Sequence, residues 1–213
     1  MKPLTRAVVL VVSVACALGS VPAAADGRYV SLRHPQQVSA SAQREVVEVF
    51  WYGCYHSELL EQPLEQWAAR QPSDVVLRRI PAVWPGGPEQ RVQTAHARLY
   101  FTLEKLGQVD RLQRAVFRAV RGEGADLGSE AAAAGWAERQ GVDRRQFTAA
   151  YESEQVRREV EQAPDDLVRY ETTELPSLVV QGRYQTSPTA AGGVEAIPGV
   201  LDQLLAQVRS TSH

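Results

Sequence analysis

Apolar and polar positions along this chain follow two different periods, and the switches between them lay out its elements. Glu45 to Trp51 is a mostly apolar run bounded by polar sequence, the pattern of a buried central strand. Tyr29 to Leu32 reads as a short strand before a turn at His34-Pro35, and Asp74 to Ile80 as a second buried strand. From Cys54 to about Arg70 the period is helical, carried by Leu59, Leu60, Leu64 and Trp67, and Pro63 predicts a kink. Residues 81–88 are dense in proline and glycine and mark a boundary.

Beyond Glu89 the pattern is helical throughout. Val92, Ala95, Leu99, Leu103 and Leu106 face one way, and Gly107 ends that helix. Asp110 is the expected cap of a second helix, with Leu112, Val116 and Val120 inward, broken by Gly122-Glu-Gly124. Ser129 caps a third helix, ended by Gly141. Asp143 with Gln146 starts a fourth that breaks near Pro164 and resumes to Tyr170. Strand signals then return. Ser177 to Gln181 and Arg183 to Thr186 flank Gly182 as a tight hairpin, and Pro198 to Val208 is a closing helix.

The first 25 residues read as an address. Lys2 and Arg6 precede a short apolar stretch, Ala7 to Leu18, and Ala23-Ala24-Ala25 offers a cleavage site, so a signal peptide is expected to end at Ala25 and the protein to reach the periplasm. Lipidation at Cys16 is the rival reading. The formal net charge of −2 argues against nucleic acid as a partner. Cleavage would leave Cys54 as the sole cysteine, which cannot form an internal disulfide and points to a reactive thiol.

Cys54 lies where a buried strand gives way to a helix, in Phe-Trp-Tyr-Gly-Cys-Tyr-His-Ser. That is the layout of a thioredoxin-like redox site, except that Ser57 stands where Cys-x-x-Cys has its second thiol. At a helix start, the free N–H groups of His56 and Ser57 and the helix dipole favour a thiolate, and a positive charge on His56 would add to this. Such a thiolate attacks disulfides to form mixed disulfides, whereas the Ser57 hydroxyl cannot release them. Release then needs an outside thiol, with glutathione as a co-substrate rather than any bound cofactor. Cys54 and His56 could hold a metal only with further ligands, and His34, His96 and His213 lack ligand-like spacing, so no metal is expected.

The order of elements, the aromatic-Gly-Cys54-x-His56 segment and Leu175-Pro176-Ser-Leu-Val-Val-Gln-Gly-Arg-Tyr184 together resemble the DsbA family of bacterial thiol:disulfide interchange proteins. The resemblance implies an α/β, thioredoxin-like fold formed by residues 26–87 and 171–213, with a helical domain inserted at 88–170. It makes Pro176 a cis-proline beside Cys54, with Leu175 presenting its backbone to an extended substrate. It places Glu48 beneath the thiol with Arg79 as a basic partner that tunes its pKa; Arg78 is the register alternative, and a solvated pair on the strand face the plain one. Its implied partners are unfolded or disulfide-containing exported proteins and a membrane redox partner. The competing function is a redox-inactive peptide-binding or chaperone module on the same fold.

Overall fold

A computed structural model describes residues 27–38 and 44–210; the expected signal segment, Cys16 and His213 lie outside the described residues. In chain order the elements are β1 (Val30–Ser31), β2 (Arg44–Phe50), α1 (Tyr55–Ala68) and β3 (Val75–Pro81). Next come α2 (Gln90–Lys105), α3 (Val109–Phe117), a π-helical turn (Arg118–Gly122), α4 (Glu130–Arg139), α5 (Arg144–Tyr151) and α6 (Glu154–Arg169). The chain closes with β4 (Ser177–Val180), β5 (Tyr184–Thr186), α7 (Pro188–Ala191), a short 3-10 turn (Val194–Ala196) and α8 (Ile197–Ser210).

The five strands form one mixed sheet in the order β1-β5-β4-β2-β3. β2 runs parallel to β3 and antiparallel to β4. This central place explains its apolar run: every residue of β2 is buried. Strand side chains alternate between faces. Val47 and Val49 pack with Ile80, Leu167, Tyr170 and Val179 on one face. Val46, on the other, meets Leu60, Leu64 and Trp67 of α1 and Leu201 and Leu204 of α8. Phe50, also on that second face, enters a separate core with Tyr100, Leu103, Phe117, Trp136 and Phe147 of the helices. Glu48, between Val46 and Phe50, therefore sits at the junction of the two cores.

The hairpin forms as the sequence predicts. Gln181 and Gly182 have φ of 53° and 60°, and the Arg183 N–H donates to the Val180 carbonyl at 3.0 Å, closing a three-residue connection between paired Val180 and Tyr184. Gly182 answers a second demand too, because a Cβ there would lie 2.2 Å from the Gln36 carbonyl oxygen.

Several local expectations are corrected. Gln108, not Asp110, caps α3; Asp110 lies in the first turn, where its charge complements the helix dipole. The expected fourth helix is two helices. Its break falls at Ser153, whose hydroxyl accepts the Val156 N–H, and not at Pro164. Pro164 lies inside a continuous α6 because Val156, Val160, Ala163 and Leu167 are all buried, and that packing outweighs one lost backbone bond. Val92 and Leu59, expected to face inward, are 44% and 42% exposed.

Candidate active site

The segment leading to the thiol is held by aromatic packing. Phe50 meets Tyr52, Tyr100 and Phe117 with ring centroids 5.1, 5.3 and 5.9 Å apart. The Tyr52 hydroxyl donates to Gln113 of α3 at 2.6 Å. Trp51 Nε1 donates to Nδ1 of His96 in α2 at 3.0 Å. Burial pushes the His96 pKa down to about 4, so the ring is neutral and free to accept at neutral pH. The Trp51 indole lies over Gly53, where a Cβ would come within 2.4 Å of the ring. Gly53→Ala should therefore displace Trp51 from His96 and destabilise the protein by about 1–3 kcal/mol, measured by urea unfolding followed through tryptophan fluorescence. An unchanged midpoint would mean that the indole moves aside freely.

Cys54 caps α1 from an extended conformation (φ −85°, ψ 124°) and is part-exposed. Its sulfur lies 3.6 Å from the Leu175 carbonyl oxygen, which places the thiol as donor to that oxygen. This corrects one expectation: the sulfur accepts no N–H bond from the first turn of α1. The Leu175–Pro176 peptide bond is cis, and Pro176 is buried at the start of β4. Thus residues 54 and 175–176, far apart in sequence, meet as the sequence reading expected. Ser57 is fully buried, its hydroxyl accepting the Trp51 N–H at 3.5 Å. His56 is exposed, with its ring centroid 5.6 Å from that of Tyr55. Thus Cys54 is reachable from solvent, while the position that would hold a second thiol is closed off.

The charged group expected beneath the site is present and larger than a pair. Glu48 and Arg79 are register partners in β2 and β3, and Arg79 Nε donates to Glu48 Oε2 at 3.1 Å. Arg79 Nη2 also donates to Glu61 Oε1 at 2.9 Å. Arg78, the register alternative, points elsewhere, to Glu45 at 3.0 Å and the Tyr170 hydroxyl at 2.6 Å. Glu48 is fully buried and Glu61 is 2% exposed. Burial pushes both carboxyl pKa values up, against the opposing pull of Arg79, and Glu61 reaches about 8. One guanidinium neutralises one carboxylate, so the two acids hold one proton between them near neutral pH. Glu48 Oε1 and Glu61 Oε2, both buried and without a hydrogen-bond partner among the described residues, are the oxygens placed to carry it. Glu61 is seven residues from Cys54, about 10 Å along the helix axis.

Two of these features had no clear sequence signal. In the sequence Glu61 is only an acidic charge in the turn after Cys54, weakly opposing a thiolate there, until the register of β3 brings Arg79 under α1. Arg121, in the π-helical turn, donates to the Gly53 carbonyl at 3.3 Å, pairs with Glu58 at 3.6 Å and lies 5.6 Å from the centre of the Tyr55 ring. It thus touches the residues on both sides of Cys54 from a helix more than sixty residues away. π-Helical turns are frequent at functional sites, yet nothing in the local sequence announces one.

The comparisons with known proteins agree with this geometry. A family model described as "DSBA-like thioredoxin domain" matches residues 56–204. Curated proteins named "Thiol:disulfide interchange protein DsbA" are similar along most of the chain. That of Azotobacter vinelandii is 34% identical over 183 residues, covering 86% of this chain and 83% of the relative. That of Burkholderia cepacia is 33% identical over 213 residues, covering 98% of each. The crystal structure of Pseudomonas aeruginosa DsbA superposes with a TM-score of 0.80 at 32% identity, covering 87% of this chain and 94% of that one. Likeness of this extent, with a solvent-reachable thiol at the start of α1, settles the class of chemistry: the chain belongs to the DsbA family of thiol:disulfide interchange proteins and is a thiol–disulfide oxidoreductase.

Proposed function

We propose that this protein is a monothiol member of its family, working in the periplasm by forming mixed disulfides with exported polypeptides through Cys54. The observation that carries this reading is the pairing of a part-exposed Cys54 with a fully buried Ser57, and no second cysteine among the described residues. In the reaction the Cys54 thiolate attacks one sulfur of a disulfide. A Cys54–substrate disulfide forms, and the other sulfur leaves as a thiolate. Ser57 contributes no nucleophile toward sulfur, so the adduct persists until another thiolate attacks it and displaces one of its two sulfurs. Glutathione, a second cysteine of the substrate or a membrane redox partner supplies that thiol. Leu175 lies beside the sulfur with its carbonyl oriented toward it and positions the substrate backbone. His56 adds positive charge at the mouth of the site when protonated. Glu48 and Arg79, with Glu61, set the electrostatic potential at its base.

Intact-mass measurement under non-reducing conditions tests this. After mixing with a peptide whose single cysteine is held in a mixed disulfide with a small thiol, the wild type should carry one peptide per chain, and millimolar glutathione should remove it. Cys54→Ala should carry none. Binding of unfolded peptide by the wild type without any covalent adduct would instead favour the redox-inactive chaperone reading.

A further inference from the structure

Beside Cys54 lies a cavity of about 490 Å³, lined by His56 and Leu59 of α1, Leu175, Pro188, Val194 and two carboxylates, Glu174 and Glu195. Its floor is apolar. Its two acids form no ion pair among the described residues. Glu174 accepts hydrogen bonds from the hydroxyls of Ser187 and Thr189, the latter at 2.6 Å, and these neutral donors leave its charge without a counter-ion. Glu195 is exposed. Arg121, the cation that touches the active-site turn, is paired with Glu58.

We propose that Glu174 and Glu195 are specificity-determining residues for the exchange reaction, and that the groove selects cysteines flanked by lysine or arginine. The proposal rests on the mixed-disulfide reading above and names its substrate class: extended segments carrying basic, long-stemmed side chains two residues from the reacting cysteine. The Cys54 sulfur touches Leu175, so the substrate cysteine must sit beside Leu175 as well. In an extended segment side chains alternate between faces, so the residue two places from the cysteine, about 6.6 Å along, points to the same side and can enter the groove. A lysine or arginine there covers the apolar floor with its methylene stem and carries its charged head to a carboxylate at the rim. Two like charges in a partly enclosed, apolar-walled groove focus the field, raising the encounter rate of cationic segments and penalising acidic ones.

Hexapeptides identical except for two arginines, two glutamines or two glutamates, one placed two residues to either side of the cysteine, test this, each activated as a thionitrobenzoate mixed disulfide. Attack by Cys54 on the peptide sulfur forms the protein–peptide disulfide and expels the coloured thionitrobenzoate anion, which reports the rate. At low salt the arginine peptide should react about tenfold faster than the glutamate peptide, with the glutamine peptide between. Half-molar salt should compress the ratio. Glu195→Gln should shrink it without altering thermal stability, since that side chain is exposed, and Glu174→Gln combined with Glu195→Gln should bring it near unity. Equal rates for the three peptides in the wild type, or a preference that survives both substitutions, would overturn the selectivity and leave the exchange reading standing. No thionitrobenzoate release from any peptide would overturn both.

Discussion

Ser57→Cys should turn this protein from a stoichiometric acceptor of disulfides into a catalytic oxidase. Residues 54 and 57 stand three apart at the start of α1, with Cys54 as its cap. Cα atoms three residues apart at a helix start lie about 5 Å from each other, within the Cα separations that a disulfide spans. Ser57 is buried in a site that already holds a hydroxyl, so one larger atom is the whole change, and its one side-chain hydrogen bond among the described residues is a weak 3.5 Å bond from the Trp51 N–H. After mild oxidation the variant should show no free thiol and a mass lower by about two hydrogens, because each sulfur loses one in forming the bridge. With a reduced dithiol peptide and a recycling oxidant it should turn over repeatedly. The wild type, offered a single-cysteine peptide as a mixed disulfide, should stop at one adduct per chain. A variant whose two thiols both remain open to alkylation under oxidising conditions would show that positions 54 and 57 do not face each other.

A comparably large effect is expected from the charged trio. Arg79→Met leaves Glu48 and Glu61 buried without a counter-charge and should cost about 3–5 kcal/mol near pH 8. The pH dependence has a definite sign. Glu61 has a folded pKa of about 8 against an ordinary 4.5. Between these values the folded protein keeps a proton that the unfolded chain has released, so stability is full below about 4.5 and falls as the pH rises toward 8. The loss in Arg79→Met should accordingly be much smaller at pH 5, where the acids can be neutral. Glu61→Gln removes the retained proton and leaves Arg79 matched to Glu48 alone. It should flatten the wild-type slope and stabilise the protein at pH 8. Urea unfolding of the three proteins at pH 5 and 8 decides the matter. A wild type equally stable at both values would show that the trio holds no proton.

The central strand β2 and the hairpin were legible in the sequence because each carries a local signature, the meeting of Cys54 with Pro176 came through the family resemblance, and β3, expected to be buried, lies at the sheet edge with only Ile80 and Pro81 buried. β2 is a continuous buried run, and Gly182 occupies a turn that favours positive φ. The buried pairing of Glu48 with Arg79 was implied only by the family resemblance, with a solvated pair as the alternative, because strand period alone does not say what covers a face. Glu61 escaped since its partner arrives from another strand; only the parallel register of β2 and β3 reveals it. Arg121 escaped for the same reason on a longer scale. The split at Ser153 was misread because Pro164 is the louder breaker, and the weight of four buried side chains in α6 cannot be seen in a single residue type.

The burial of Ser57 bears on what happens to an adduct once it has formed. No nucleophile reaches the linkage from behind, so any rescuing thiolate must come through the same mouth that the bound polypeptide fills. Small thiols have to compete with the cargo for that opening. A cysteine elsewhere in the cargo is already there, tethered, at an effective concentration on the order of millimolar. When it attacks the cargo sulfur, Cys54 leaves as a thiolate and the cargo departs with a new internal bridge. A chain built this way parts slowly from polypeptides with one cysteine and quickly from those with several, so the cargo's own cysteine count sets how long it stays.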